Sequence, residues 1–186
     1  DCVLGDRLTA FAPYTTGIPL RMNKDMEVLK QFFDVSTLAN EIIDFDLVRR
    51  TYFDICDTEI GYLELDITPA DALMDSIQAA VCIGSRGKSN EDDFSSYLRG
   101  TRNVSQHIYV QNFSMERAAL MAPQIIYLAS CLLAGSSYTR VDDPQPYQNE
   151  KLIQPDMLMM KSLRRGSPIG YAYLVQADRL LSDYRK

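Results

Sequence analysis

The fold is decided by residues 114–135, SMERAALMAPQIIYLASCLLAG. Between residues 118 and 134 this stretch carries no charged side chain, and its polar interruptions there are Gln124, Tyr127 and Ser130. A helix that is apolar on every side must be surrounded by other elements of the fold. The sequence therefore predicts a mainly α protein, a helical bundle around a central apolar helix at about residues 115–134.

The ends of this helix are marked by their side chains. The Ser114 hydroxyl can accept a hydrogen bond from the first turn, and Gly135 can enter the left-handed conformation that ends many helices. Pro123 lies inside the helix, so we expect a kink or a new start near Met121. The uncharged run is slightly shorter than the roughly 20 residues of a membrane span and is rich in alanine, which argues against a membrane partner.

The flanking sequence predicts further helices. We expect a short helix at residues 23–35, an amphipathic helix at 37–56 and a helix from Thr68-Pro69 to about Ile83, because threonine followed by proline is typical of a helix start. Residues 60–67 and 107–111 have a strand-like pattern. An α+β fold with a small two-stranded element is therefore the alternative.

Length and composition indicate one domain of ordinary size. The 186 residues, with 46% hydrophobic and 24% charged side chains, are typical of a globular protein that folds without metal or disulfide support. Residues 1–22 contain Pro13, Gly17 and Pro19, and we interpret them as an irregular N-terminal arm on a single helical domain at 23–186.

Candidate catalytic and metal-binding groups are sparse. His107 is the single histidine and no nucleophile motif surrounds it, so we favour a non-enzymatic protein. The acidic clusters at residues 91–93 and 142–143 lack a metal-motif spacing and are interpreted as solvated or capping carboxylates. We predict no cofactor.

The four cysteines form no CxxC pair. Three of them lie in apolar stretches, which is typical of free thiols in a reducing compartment. We therefore expect an intracellular, cytoplasmic location, with an assembled particle as the other setting considered. The chain begins at Asp1, which is typical of a processed product or a piece of a longer chain.

The charge is unevenly distributed along the chain. Residues 1–93 contain 18 acidic and 8 basic residues, whereas residues 94–186 contain 7 acidic and 11 basic residues. Oppositely charged parts of a molecule can associate head to tail. The leading hypothesis is therefore a helical protein that binds other protein chains, including copies of itself, as a structural or virion-type subunit or as an adaptor.

The residues proposed for this interaction lie on a helix predicted at 156–165. They are the basic side chains Lys161, Arg164 and Arg165 and the adaptable side chains Met157 and Met160. A methionine cluster is also a common filler of irregular cores, and that interpretation comes first for Met157 and Met160.

Two alternative functions remain. The first is a helical enzyme or small-ligand binder with a pocket beside the kinked central helix, lined by Gln124, Tyr127, Ser130 and Cys131. The second is nucleic-acid binding through the basic C-terminal segment, comprising Lys161, Arg164, Arg165, Arg179, Arg185 and Lys186. The net charge of −6 disfavours a nucleic-acid partner.

Overall fold

The helices predicted from the sequence dominate the computed structural model, which describes residues 1–104 and 113–184. Within these residues the chain forms α1 (Cys2–Ala10), α2 (Asp25–Leu38), α3 (Phe45–Tyr62), α4 (Pro69–Gly84), α5 (Glu91–Val104), α6 (Met115–Leu133), α7 (Pro155–Leu158), α8 (Leu163–Gly166) and α9 (Pro168–Tyr184), with one 3-10 turn at Gln145–Tyr147. The mainly α prediction is confirmed. No strand occurs in the described ranges: α3 continues to Tyr62, and the second strand candidate, residues 107–111, lies outside them.

Helix α6 is the predicted central helix. The Ser114 hydroxyl accepts from the Arg117 amide at 3.3 Å, and Gly135 has a φ of +64°, so both predicted ends are confirmed. The helix continues through Pro123 and does not start afresh near Met121. Its most extensive neighbours are α4 and α9, and α2 also packs against it.

Close packing of α4 against α6 depends on small side chains. A Cβ atom added to Gly84 would lie 2.5 Å from Sδ of Met160 and 3.1 Å from Cβ of Ala122. Met160 therefore fills the space that the glycine leaves at the C-terminal end of α4. Ile125 and Ile126 of α6 are fully buried, as expected for a helix enclosed on every side.

The N-terminal segment differs from the irregular arm that the sequence predicted. Residues 2–10 form α1, which packs against α3 and α2. Leu4, Leu8 and Phe11 recur at three- and four-residue steps and are buried in the core. The sequence predicted an irregular segment because Pro13, Gly17 and Pro19 disfavour regular helix in the residues that follow α1.

Residues 11–24 follow without regular helix and are held by two buried aspartates. Oδ2 of Asp75 accepts from the Tyr14 amide at 2.7 Å and from the Thr15 hydroxyl at 2.8 Å. Oδ1 of Asp93 accepts from the Tyr14 hydroxyl at 2.5 Å and from Arg21 at 2.6 Å. These bonds anchor the segment to α4 and α5.

Two predicted helix boundaries were wrong. The helix predicted at 23–35 continues to Leu38, and the one predicted from residue 37 begins only after Asp44, whose carboxylate accepts from the Leu47 amide at 3.0 Å. The helix predicted at 156–165 is divided into α7 and α8.

We expect Gly100→Ala to destabilise the protein and Gly61→Ala to stabilise it. A Cβ atom at Gly100 would overlap the backbone carbonyl of Asp25, which cannot move without displacing the start of α2. Such overpacking costs about 1–3 kcal/mol. A Cβ atom at Gly61, also helical, meets nothing within 4 Å, so alanine there should add about 1 kcal/mol through its helix propensity.

Urea unfolding followed by circular dichroism measures both changes in the free energy of unfolding. The close approach of α2 and α5 would be contradicted if Gly100→Ala were as stable as Gly61→Ala.

Candidate functional site

Exposed acidic residues surround the turn between α3 and α4. They are Asp54, Asp57, Glu64, Asp66 and Asp71, and we call this surface the acidic end. Hydrogen bonds from the hydroxyl and amide of Thr68 hold the pKa of Asp71 below its usual range, so this carboxyl is charged at neutral pH. In the described ranges none of these five carboxylates forms an ion pair.

Two large hydrophobic side chains are exposed at the same surface. Tyr62, the last residue of α3, is 82% exposed, and Leu63 after it is 44% exposed. Both residues lie in the stretch 60–67 that the sequence predicted as a candidate strand, and their exposure at the surface was not predicted. An exposed tyrosine ring beside carboxylates resembles the aromatic anchors of protein interfaces.

The basic residues predicted to form an interaction site lie together. Lys161, Arg164 and Arg165 are exposed around a concavity of about 780 Å³ that we call the basic end, also lined by Gln148, Asn149 and Ser162. Arg164 donates to the side-chain oxygen of Asn149 at 3.3 Å. In the described part of the chain, no carboxylate forms an ion pair with these three cations.

Met157 and Met160 do not belong to that surface. Each is only 1% exposed, and Met160 packs against Gly84. Both side chains fill the core, as the first of the two sequence interpretations had it, and neither can contact a partner. The division of the predicted helix into α7 and α8 turns them inward while the basic residues stay outside.

The two charged ends lie at opposite ends of α4. The acidic end surrounds its first residues, Pro69 and Ala70, whereas Met160, adjacent to Lys161, packs against its last residue, Gly84. A helix of 16 residues is about 24 Å long at 1.5 Å per residue. These two clusters, one from each half of the sequence, are therefore separated in space.

A separate groove lies between α2, α6 and α9, beside Pro123. It has a volume of about 660 Å³, and we call it the α6 groove. Its lining residues are Phe33, Ser36, Thr37, Asn40, Arg117, Leu120, Met121, Gln124, Arg140, Val141, Asp142, Ser167, Ile169, Gly170 and Tyr173. Apolar and polar side chains are thus mixed along its walls.

Of the four residues predicted to line a pocket here, the structure places one in the groove. Gln124 lines it, and its amide nitrogen donates to the Asn40 oxygen at 3.0 Å and to the Tyr138 hydroxyl at 2.9 Å. Ser36 and Arg117 also line the groove and were not predicted to do so. Their position in the groove depends on how α2 crosses α6.

The other three predicted pocket residues lie in the core. Tyr127 is enclosed by the rings of Tyr138 and Tyr173, whose centroids lie 5.3 and 5.6 Å away. The Ser130 hydroxyl donates to the carbonyl of Ile126 at 2.7 Å. Burial raises the pKa of the Cys131 thiol to about 12, which makes it a poor nucleophile.

Other candidate chemistry is limited. Asp93 is engaged with Tyr14, Arg21 and Asn90, and no group of three His, Cys, Asp or Glu residues in the described ranges is arranged to hold a metal ion. His107 lies outside the described residues. Of the residues proposed for nucleic-acid binding, Arg179 pairs with Glu150 at 3.2 Å, and residues 185 and 186 are not described.

The helices of residues 1–104 and 113–184 include none with the length and apolar character needed to cross a bilayer. No protein-family model, curated protein or solved structure matches this chain.

We expect a single fast-reacting thiol in the native protein. Cys2 is exposed, whereas Cys56, Cys82 and Cys131 are buried. Burial also raises the pKa of Cys82 to about 11, so little thiolate is present at pH 8. Titration with Ellman's reagent at pH 8 should detect one thiol at once and four after unfolding in guanidinium. Cys2→Ser should abolish the fast reaction, and rapid modification of Cys131 would contradict its burial.

Proposed function

We propose that this protein is an assembly subunit that associates head to tail, with the acidic end of one copy bound to the basic end of the next. The observation that carries the proposal is the position of two unneutralised surfaces of opposite charge at opposite ends of α4. Complementary potentials accelerate association and select the register in which two surfaces meet.

The geometry of such a contact favours assembly over a closed pair. A contact between two different surfaces leaves one free copy of each surface on every dimer. Further copies can therefore add until a ring closes or a filament grows. This favours a structural subunit over an adaptor that binds one partner.

Shape and apolar surface support the same pairing. The basic end is concave, with a volume of about 780 Å³, whereas the acidic end presents Tyr62 and Leu63 beyond the last turn of α3. Binding in the concavity would remove the tyrosine ring from water while its neighbouring carboxylates approach Arg164 and Arg165. Aromatic and arginine side chains commonly provide most of the binding energy at protein interfaces.

The cysteines support an intracellular setting for this assembly. All four are free, and three are enclosed in the core, where they act as small apolar side chains. A cytoplasmic location is the corresponding proposal, because free thiols persist in reducing compartments.

Light scattering behind a sizing column tests the assembly. The monomer has a mass of 21.1 kDa. We expect multiples of this mass that increase with protein concentration and decrease with salt, because exposed charges more than about 10 Å apart are screened at 0.1 M salt. A mass of one monomer at every concentration and salt would refute self-association.

Charge reversal identifies the surfaces. Arg164→Glu/Arg165→Glu changes the formal charge of the basic end from +3 to −1, and Asp57→Lys/Asp66→Lys changes that of the acidic end from −5 to −1. Each variant alone should weaken self-association by at least about tenfold. An equimolar mixture of the two variants should form a dimer that does not grow. The intact acidic end of one variant can bind the intact basic end of the other, and no second intact pair of ends remains.

The matched control is Lys30→Glu/Arg102→Glu, which changes the net charge as much as the basic-end reversal does, at exposed positions on α2 and α5. This control should assemble like the original protein. Equal effects of the control and of the basic-end reversal would show that only net charge matters, and would contradict a specific head-to-tail contact.

A further inference from the structure

The α6 groove contains a cation without an anionic partner. Arg117 lies in the first turn of α6, lines the groove and is partly buried. No carboxylate in the described ranges forms an ion pair with its guanidinium group. The N–H groups of this guanidinium also donate no hydrogen bond to any described residue. A partly buried guanidinium gains most from a ligand that carries a negative charge.

Two polar residues of the same groove are largely buried, and one side-chain oxygen of each has no hydrogen-bond partner among the described residues. Ser36 is 2% exposed, and its hydroxyl has no partner among the residues that the structure describes. Gln124 is 7% exposed. Its side-chain nitrogen donates to Asn40 and Tyr138, whereas its side-chain carbonyl oxygen has no hydrogen-bond partner among the described residues. Neither oxygen is a fully buried atom without a partner, so both are open to the groove, where they can bind a polar group of a ligand.

The remaining walls contain apolar side chains, the ion pair of Arg140 with Asp142 at 3.1 Å and a helix N-terminus. Leu120 and Ile169 are 42% and 46% exposed, and Phe33 and Val141 also line the groove. The first turn of α9, a helix of 17 residues, contributes Ile169 and Gly170, so the positive end of its dipole faces the groove.

We propose that the α6 groove binds a small amphipathic organic anion, with an acid group at Arg117, a polar group between Ser36 and Gln124, and an apolar body against Leu120 and Ile169. The volume of about 660 Å³ is within the range of small-molecule sites. The groove is distinct from the acidic and basic ends, so this site goes beyond the proposed assembly. The shared ligand chemistry is a carboxylate, sulfonate or phosphate ester attached to an apolar group.

Two fluorescent probes with the same aromatic body test the requirement for charge. These are 8-anilinonaphthalene-1-sulfonate and its uncharged analogue N-phenyl-1-naphthylamine, titrated into the full chain. We expect the sulfonate to bind at least about tenfold more tightly, because a hydrogen bond to a charged group contributes more than a neutral contact. Equal affinities would overturn the proposal.

Variants then locate the probe. Arg117→Gln should remove the preference for the sulfonate, whereas Arg50→Gln, at an exposed arginine on α3, should keep it. Leu120→Glu should weaken both probes by at least about tenfold by placing a charge against the apolar body. Leu158 is also 42% exposed but lies outside the groove, so Leu158→Glu is the matched control.

The circular dichroism spectrum and unfolding midpoint of each variant separate a local effect from loss of the fold. A preference for the sulfonate that survives Arg117→Gln would place the anion elsewhere and overturn the site. Competition by octanoate and by octyl phosphate, measured as displacement of the sulfonate probe, then distinguishes a carboxylate ligand from a phosphate ester.

Discussion

Burial of most of α6 is the constraint on which the rest of the structure depends. A 19-residue helix with this many apolar side chains is stable in water only when other helices cover it on all sides. Helices α4, α9 and α2 provide that cover, and the outer helices α1, α3 and α5 pack against this inner layer. Gly84 and Ala122 allow α4 and α6 to approach closely, which makes α4 a rigid part of the core.

The position of α4 explains why the acidic end and the basic end are held apart within one molecule. At 4 Å two unit charges in water interact by only about 1 kcal/mol, and screening weakens this further over about 10 Å. Charged surfaces at opposite ends of a rigid helix therefore cannot neutralise each other within one molecule. They remain available to other molecules, and this is the physical basis of the proposed head-to-tail contact.

The α6 groove arises from a different feature of the same helix. Pro123 lacks an amide hydrogen, and Gly170 at the start of α9 lies close to its ring. Beside this contact α2 and α9 leave space along α6, where Ser36, Arg117 and Gln124 come together. Helix α6 thus forms the centre of the core and also one wall of the α6 groove. The acidic and basic ends lie on other elements of the fold.

The sequence by itself determined the helical class, the ends of α6, the start of α4 at Thr68-Pro69 and the basic group Lys161, Arg164 and Arg165, because capping residues, periodicity and charge act locally. It did not reveal α1, the break between α2 and α3, or the exposure of Tyr62. Of four predicted pocket residues, only Gln124 reaches the groove, since the neighbours of a side chain depend on how helices cross. Only the tertiary structure decided that Met160 is buried against Gly84 and that opposite charges lie at the two ends of α4, because these relations join residues distant in the chain.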